Sequence, residues 1–253
     1  MIRFDNVTKA LAGKTVLRNV TFEIRKGETF VIVGPSGAGK SVTLKHMVRL
    51  LTPDEGRVRV GEDVVSELRS GELERVRERF GFLFQGGALL AWLSMAENVA
   101  LPLREKTDMG EDDIRQRVQE VLQLVGLGEH GEKLPSELSG GMRKRAGLAR
   151  AIVRKPEIVL YDEPTSGLDP VTSRSIDDLI RKLQQELGVT SVVVTHDLHS
   201  ALGIGHRIAM LHGGGIVELA APQEFIRSGV DAVRAFLDAQ YITRRGIWER
   251  NAP

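Results

Sequence analysis

The chain contains no cysteine, which excludes a disulfide framework, a thiolate metal site and a cysteine nucleophile. Charge of one sign is also missing. Lys and Arg number 35 against 34 Asp and Glu, a formal +1. That argues against a nucleic-acid binder working by bulk electrostatics, although a local basic stripe stays open. No apolar run approaches the roughly 18–20 residues that span a bilayer. The most apolar stretches are Thr29–Val33, Ile158–Tyr161 and Ser191–Thr195. There is no internal repeat and no low-complexity tract, and the opening MIRFDNVTKA lacks the pattern of a signal peptide. The chain is therefore expected to stay in the cytosol and to meet a membrane only through a partner. What is present, 27% charged and 42% hydrophobic residues, is ordinary for a globular protein. It excludes a disordered, collagen-like or coiled-coil chain.

Alternation at Val16, Val20, Phe22 and Ile24 predicts half-buried antiparallel strands within residues 1–28. The apolar run 29–33 leads through a glycine-rich loop into a helix expected from Lys40 to Leu51, stopped by Thr52-Pro-Asp-Glu-Gly56. A short strand pair is expected near 57–65. Residues 86–154 carry helical periodicity, best seen in Ile114, Val118, Val121, Leu122 and Val125, with Glu111, Asp112 and Asp113 at the helix start. Beyond Pro156 buried strands return at 157–161, 191–195 and 207–212, with a helix near 171–187. Alternating strands and helices imply an α/β fold with a largely parallel central sheet.

Three motifs carry chemistry. Gly34-Pro35-Ser36-Gly37-Ala38-Gly39-Lys40-Ser41 matches G-x-x-x-x-G-K-[ST] between an apolar strand and a helix. Backbone N–H groups there cradle a phosphate chain, Lys40 meets the β/γ-phosphates and the Ser41 hydroxyl ligates Mg²⁺. Ile158-Val-Leu-Tyr-Asp162-Glu163 is a buried strand ending in two carboxylates. Asp162 is placed for the Mg²⁺ shell and Glu163 for activating water. Leu138-Ser139-Gly140-Gly141-Met142 opens a helix rich in Arg and Lys, a second anion-binding helix start. One phosphate chain does not need two such cradles from one chain, so a dimer sandwiching ATP between them is expected. Arg143, Lys144 and Arg145 read as a solvated helix face rather than a nucleic-acid contact.

With these motifs the sequence resembles the nucleotide-binding subunits of ABC transporters over residues 2–240. The residues that carry the resemblance are 34–41, Gln85, 138–142, Asp162-Glu163, Ser166-Gly-Leu-Asp169 and His196, in the family's order. The resemblance implies a P-loop ATPase with an N-terminal antiparallel subdomain, a helical subdomain at about 86–154 and a tail of 241–253. It implies that Gln85 touches Mg²⁺ and the attacking water, that Asp169 organises the dimer interface, and that His196 contacts the γ-phosphate. It further implies a homodimer on the cytoplasmic face of the inner membrane, paired with an integral membrane permease. A narrower resemblance, to the ATPase subunits of Mla/Mce-associated lipid transport systems, rests on four runs: Phe84-Gln-Gly-Gly-Ala-Leu-Leu90, Glu97-Asn-Val-Ala-Leu-Pro-Leu-Arg104, Leu134–Arg145 and Tyr161–Pro170. It implies phospholipid or related cargo, a small regulatory subunit and an Mce-type substrate-binding protein. Other ABC importers share much of the pattern, and the alternatives are an importer or lipoprotein-release ATPase with other cargo, or a soluble non-transport ABC ATPase.

The family usually stacks adenine on an aromatic near the position of Leu11, yet no aromatic occurs from Asp5 to Thr21. Leu11, or Tyr241 and Trp248 of a neighbouring copy, are the remaining candidates. His206 replaces the family's usual Asp and is assigned no function. Leu89, Leu90, Trp92, Leu93 and Met95 read equally as core or as a groove for a permease helix.

Overall fold

The computed structural model describes residues 1–240 and 242. The chain begins with β1 (Ile2–Leu11), β2 (Lys14–Ile24), β3 (Thr29–Val33), α1 (Lys40–Met47), β4 (Glu55–Val60) and β5 (Asp63–Val64). Next come α2 (Ser70–Glu78), β6 (Phe80–Leu83), α3 (Met95–Lys106), α4 (Glu111–Leu124) and α5 (Gly140–Ile152). Then follow β7 (Ile158–Asp162), α6 (Pro170–Leu187), β8 (Thr190–Thr195), α7 (Leu198–Ile204), β9 (Arg207–His212), β10 (Gly215–Ala220), α8 (Pro222–Ile226) and α9 (Asp231–Ala239). They fall into two compact units, Met1–Leu68 with the chain from Val194 onward, and Arg69–Val193.

In the first unit β1 pairs antiparallel with β2 on one edge and with β4 on the other. A period-2 pattern, shifted by irregularities at Asn6 and Asn19, buries Ile2, Phe4 and Val7 of β1 with Leu17, Val20, Phe22 and Ile24 of β2, the signature of a sheet covered on one face. Phe22 stacks on Phe4 at 4.5 Å and on Phe30 at 5.4 Å. Ala12 and Gly13 make the hairpin turn with φ of 48° and 78°, the conformation that suits the twist of a two-residue hairpin. In the same unit β9 pairs parallel with β3 and antiparallel with β10. β3 is buried at every position. Helix α1 stops at Met47, short of the expected Leu51. Arg49 turns left-handed at φ 51°, and the N–H groups of Arg49 and Leu50 reach back to the carbonyls of His46 and Lys45. This is a Schellman ending with arginine where glycine would have marked the stop.

In the second unit β6 pairs parallel with β7, from Phe80↔Ile158 to Leu83↔Tyr161. β7 and β8 are wholly buried. The short β6 was not legible in the sequence; it is held by close packing, since a methyl on Gly81 would lie 2.2 Å from the Ala151 carbonyl oxygen. Residues 86–154 hold α3, α4 and α5 and no strand. Ser94 and Glu97 cap α3 reciprocally, each side chain accepting the other's backbone N–H. The stripe Ile114, Val118, Val121 and Leu122 turns α4 inward. The two following helices cap each other. Arg117 of α4 donates at 3.0 Å to the Val153 carbonyl that ends α5, and Arg145 of α5 donates at 2.6 Å to the Val125 carbonyl that ends α4. Each cation sits where a helix dipole is negative.

Candidate functional site

The glycine-rich loop joins β3 to α1. Gly34, Gly37 and Gly39 have φ of 153°, 79° and 105°. A methyl on Gly34 would stand 2.3 Å from the Leu211 carbonyl oxygen, and one on Gly39 2.9 Å from Val16. Both ends of the loop are thus hemmed in, while Pro35, Ser36 and Gly37 face solvent and Ala38 is half-buried. Lys40 is buried, and its ammonium donates to the Gly34 and Pro35 carbonyls at 2.9 and 3.3 Å, inside the loop. No side chain caps α1 and no acid lies in its first turn. The positive helix end, the ammonium and the curled backbone together make a cradle that fits a polyphosphate. Ser41 follows at the helix start, half-buried.

His196, just past the end of β8, belongs to the first unit and is exposed. Its carbonyl accepts from Gln240 Nε2 at 2.7 Å, and the Leu198 N–H donates to Gln240 Oε1 at 2.8 Å. Gln240, just past α9, therefore brackets the histidine turn; no motif in the sequence signalled it. Leu11, at the end of β1, is 36% exposed. His206 is structural, because its Nδ1 accepts the Thr29 N–H at 2.9 Å at the start of β3. Tyr241, Trp248 and the rest of the expected 241–253 tail, Ile242 aside, lie outside the described residues.

In the second unit Asp162 ends β7 and Glu163 follows, both buried. Glu163 adopts φ 49°, a left-handed conformation costing about 1–3 kcal/mol in a residue other than glycine. Its carbonyl accepts from the Lys144 ammonium at 3.0 Å and from the Ser166 N–H at 3.2 Å. Gln85 lies exposed beyond β6, and its carbonyl accepts from the same ammonium. Ser139 caps α5, accepting the Met142 N–H at 3.2 Å, with no acid in the first turn. Gly140 and Gly141 open that helix. A methyl on Gly141 would lie 2.5 Å from Thr172. Thr172 in turn is bonded to Asp169, which caps α6 by accepting the Val171 and Thr172 N–H groups at 3.0 Å. The Thr172 hydroxyl and these N–H donors hold the Asp169 carboxyl below the usual aspartate range. The structure thus joins Ser139–Gly141 to Asp169 through Thr172, and Gln85 to Glu163 through Lys144.

The expectation of a solvated face at Arg143, Lys144 and Arg145 is corrected. Arg143 alone is exposed, and it still donates to the Leu138 carbonyl at 2.9 Å. Lys144 is 5% exposed, and Arg145 reaches Val125 and Ser175. The cause is packing: α5 lies against loop and helix ends whose carbonyls need donors. Burial pulls the Lys144 ammonium below the ordinary lysine value, while the Asp162 and Glu163 carboxylates act to raise it.

The segment after Gln85 divides. Met95 is fully buried, Leu89, Leu90 and Leu93 are half-buried, and Trp92 is 74% exposed. Buried Asn98 fixes this loop, accepting the Leu90 N–H at 2.7 Å and donating to the Leu90, Leu93 and Ser94 carbonyls. The indole is displayed by a rigid turn rather than packed in the core.

Residues 17–166 match the family described as ABC transporter, and the chain belongs to it. It is 41% identical over 248 residues to "Probable ribonucleotide transport ATP-binding protein mkl" of Mycobacterium leprae (strain TN), covering 98% of this chain and 72% of that protein. It is 39% identical over 240 residues to "Methionine import ATP-binding protein MetN" of Caulobacter vibrioides, covering 94% and 72%. Among solved structures, a dimeric ATP-binding cassette in a post-hydrolysis state with ADP and Pi matches at 38% identity and a TM-score of 0.80, over 88% of this chain and 99% of that one. CbiO1 from Clostridium perfringens, part of the ABC transporter complex CbiONQ, matches at 26% identity and a TM-score of 0.82, over 94% of each chain. The fold is that of an ABC ATPase, α/β with an antiparallel sheet and a helical part, and the protein is an ATP-binding ATP hydrolase coupled to transport. Among the described residues no helix is long and apolar enough to cross a membrane.

Proposed function

We propose that two copies of this chain bind two ATP molecules between the phosphate loop of one and the Ser139–Gly141 helix start of the other, and that closure drives a separate membrane permease. The observation that carries this reading is the second anion-favouring helix start, at α5, capped by the neutral Ser139 hydroxyl and free of acids in its first turn. The dimeric state of the solved cassette with ADP and Pi supports it.

Within each site Gly34–Ser41 binds the phosphates, and Lys40 with the Ser139, Gly140 and Gly141 donors offsets charge that grows in the transition state. Glu163 takes the proton of the attacking water, Gln85 orients that water, His196 contacts the γ-phosphate and Asp169 shapes the copy-to-copy interface. The oxygen donors Ser41, Gln85 and Asp162 suit Mg²⁺, which favours one or two carboxylates plus substrate phosphates over an all-protein cage. When bound, Mg²⁺ would offset phosphate charge. The ATPase sits peripherally on the cytoplasmic face of the inner membrane, with Trp92 and its neighbours toward the permease.

Glu163→Gln tests the assignment. Turnover should fall by about 10²–10⁴ while ATP-bound dimer accumulates on a sizing column. A variant with wild-type turnover would refute it.

For cargo, the runs Phe84–Leu90, Glu97–Arg104, Leu134–Arg145 and Tyr161–Pro170 support phospholipid or related hydrophobic molecules, delivered by an Mce-type protein with a small regulatory subunit. The names of the relatives favour a second reading, import of a polar solute such as methionine or a ribonucleotide. ATPase stimulation of the reconstituted complex by phospholipid, methionine or ribonucleotides separates the two.

A further inference from the structure

β6 and β7 run parallel in strict register, Leu83 opposite Tyr161. Continuing that register past the strand ends sets Gln85 opposite Glu163. The strand pairing itself ends at Leu83 and Tyr161. Beyond it one side chain serves both Gln85 and Glu163. The Lys144 ammonium donates to the Gln85 carbonyl and to the Glu163 carbonyl, from the middle of α5.

Three features make this a device rather than a chance contact. Lys144 is 5% exposed, and burying an ammonium is costly unless its donors are used. The Glu163 backbone is left-handed at φ 49°, and such strain persists only where the surroundings over-determine it. The loop beyond Gln85 is tied to the same helix by Arg150, which donates to the Gly87 and Ala88 carbonyls at 2.9 and 2.7 Å. A methyl on Gly147 would lie 3.0 Å from the Gly87 carbonyl oxygen, so helix and loop meet backbone to backbone.

We infer that Lys144 is a positioning residue for hydrolysis: by gripping both carbonyls it fixes the Glu163 carboxylate and the Gln85 amide relative to each other and to the helix that begins at Ser139. The inference rests on the roles proposed for Glu163 and Gln85. The grip makes the reactive geometry answer to α5, since a displacement of that helix loosens both groups together. The Lys144 ammonium is engaged with the Gln85 and Glu163 carbonyls, so its removal acts on the chemical step rather than on nucleotide binding.

The test is Lys144→Met in the full chain, which keeps the length of the side chain and removes every donor. At saturating Mg·ATP kcat should fall by about 10–10²-fold, the scale of a misplacement near 1 Å. KM for ATP should stay within about twofold. Lys144→Arg, which keeps a cationic donor, should recover a substantial part of the loss. A folded Lys144→Met with wild-type kcat, or one whose KM rises while kcat holds, overturns the inference. If that variant does not fold, Lys144→Leu, which also has no donor, carries the same comparison; failure of both to fold also overturns it, because Lys144 would then serve folding. Glu163→Gln is measured beside them. Wild-type turnover there sinks the general-base role itself, whereas loss there with none in Lys144→Met sinks only the positioning role.

Discussion

Replacing Gly34 by alanine separates two costs that the phosphate loop imposes. The first is conformational, since φ at Gly34 is 153°, and holding a side-chain-bearing residue in such a region costs about 1–3 kcal/mol. The second is steric. The new methyl would stand 2.3 Å from the Leu211 carbonyl oxygen, a backbone atom of β9 that is itself paired in a sheet. Forcing an extra methyl into such a place costs about 1–3 kcal/mol more. Gly37 isolates the first cost, because its φ is 79° and nothing lies within 4 Å of a methyl placed there. Both variants should therefore lose stability in urea melts, with Gly34→Ala worse than Gly37→Ala by about 1–3 kcal/mol. If the loop yields instead of β9, the Gly34 carbonyl moves, and it is an acceptor of the Lys40 ammonium at 2.9 Å. The same energy then appears in calorimetry as ATP affinity weakened by about 5- to 150-fold relative to Gly37→Ala. A Gly34→Ala protein that matches Gly37→Ala in both stability and ATP affinity would refute the reasoning.

Trp92→Ala should leave the melting temperature of the chain unchanged, because the indole is 74% exposed, while weakening co-purification with the permease; a collapse of folding would return Trp92 to the core. Leu11→Tyr should tighten ATP binding by up to the about 1–3 kcal/mol that base–aromatic stacking provides, read by calorimetry, and an unchanged affinity would mean that adenine is held elsewhere. Burial holds His46 below the ordinary 6.5, with Lys9 acting the same way and the Val42 and Thr52 carbonyls and Asp54 opposing. The fold therefore favours the neutral ring. Its contribution to stability is complete above about pH 6.5 and is lost as pH falls through the depressed folded value. Melting temperatures measured between pH 7 and 5 should fall more steeply for wild type than for His46→Gln, and equal slopes would contradict this.

The motifs could be read because their chemistry forces residue type and spacing together. Glycine alone meets the φ values at 34, 37 and 39 without strain, so the loop announces itself. The buried strands β3, β7 and β8 announce themselves as unbroken apolar runs. What stayed hidden depends on tertiary partners. β6 is four residues whose strand character comes from Ile158–Tyr161 and from the helix behind Gly81. α1 ends earlier than its sequence pattern implies because an arginine, not a glycine, takes the left-handed turn. Lys144 and Arg145 read as a solvated face in the sequence because a run of cations says nothing about which carbonyls await them. Gln240 brackets His196 from 44 positions away, a distance no local pattern spans.

The exchange of arginines between α4 and α5 has a mechanical outcome. Arg117 and Arg145 each clamp the far end of the other helix, so neither rod can slide along or roll over its neighbour without tearing a cation from an oxygen. The two are tied at two points, so a displacement of α4 draws α5, and Ser139 at its start, along with it.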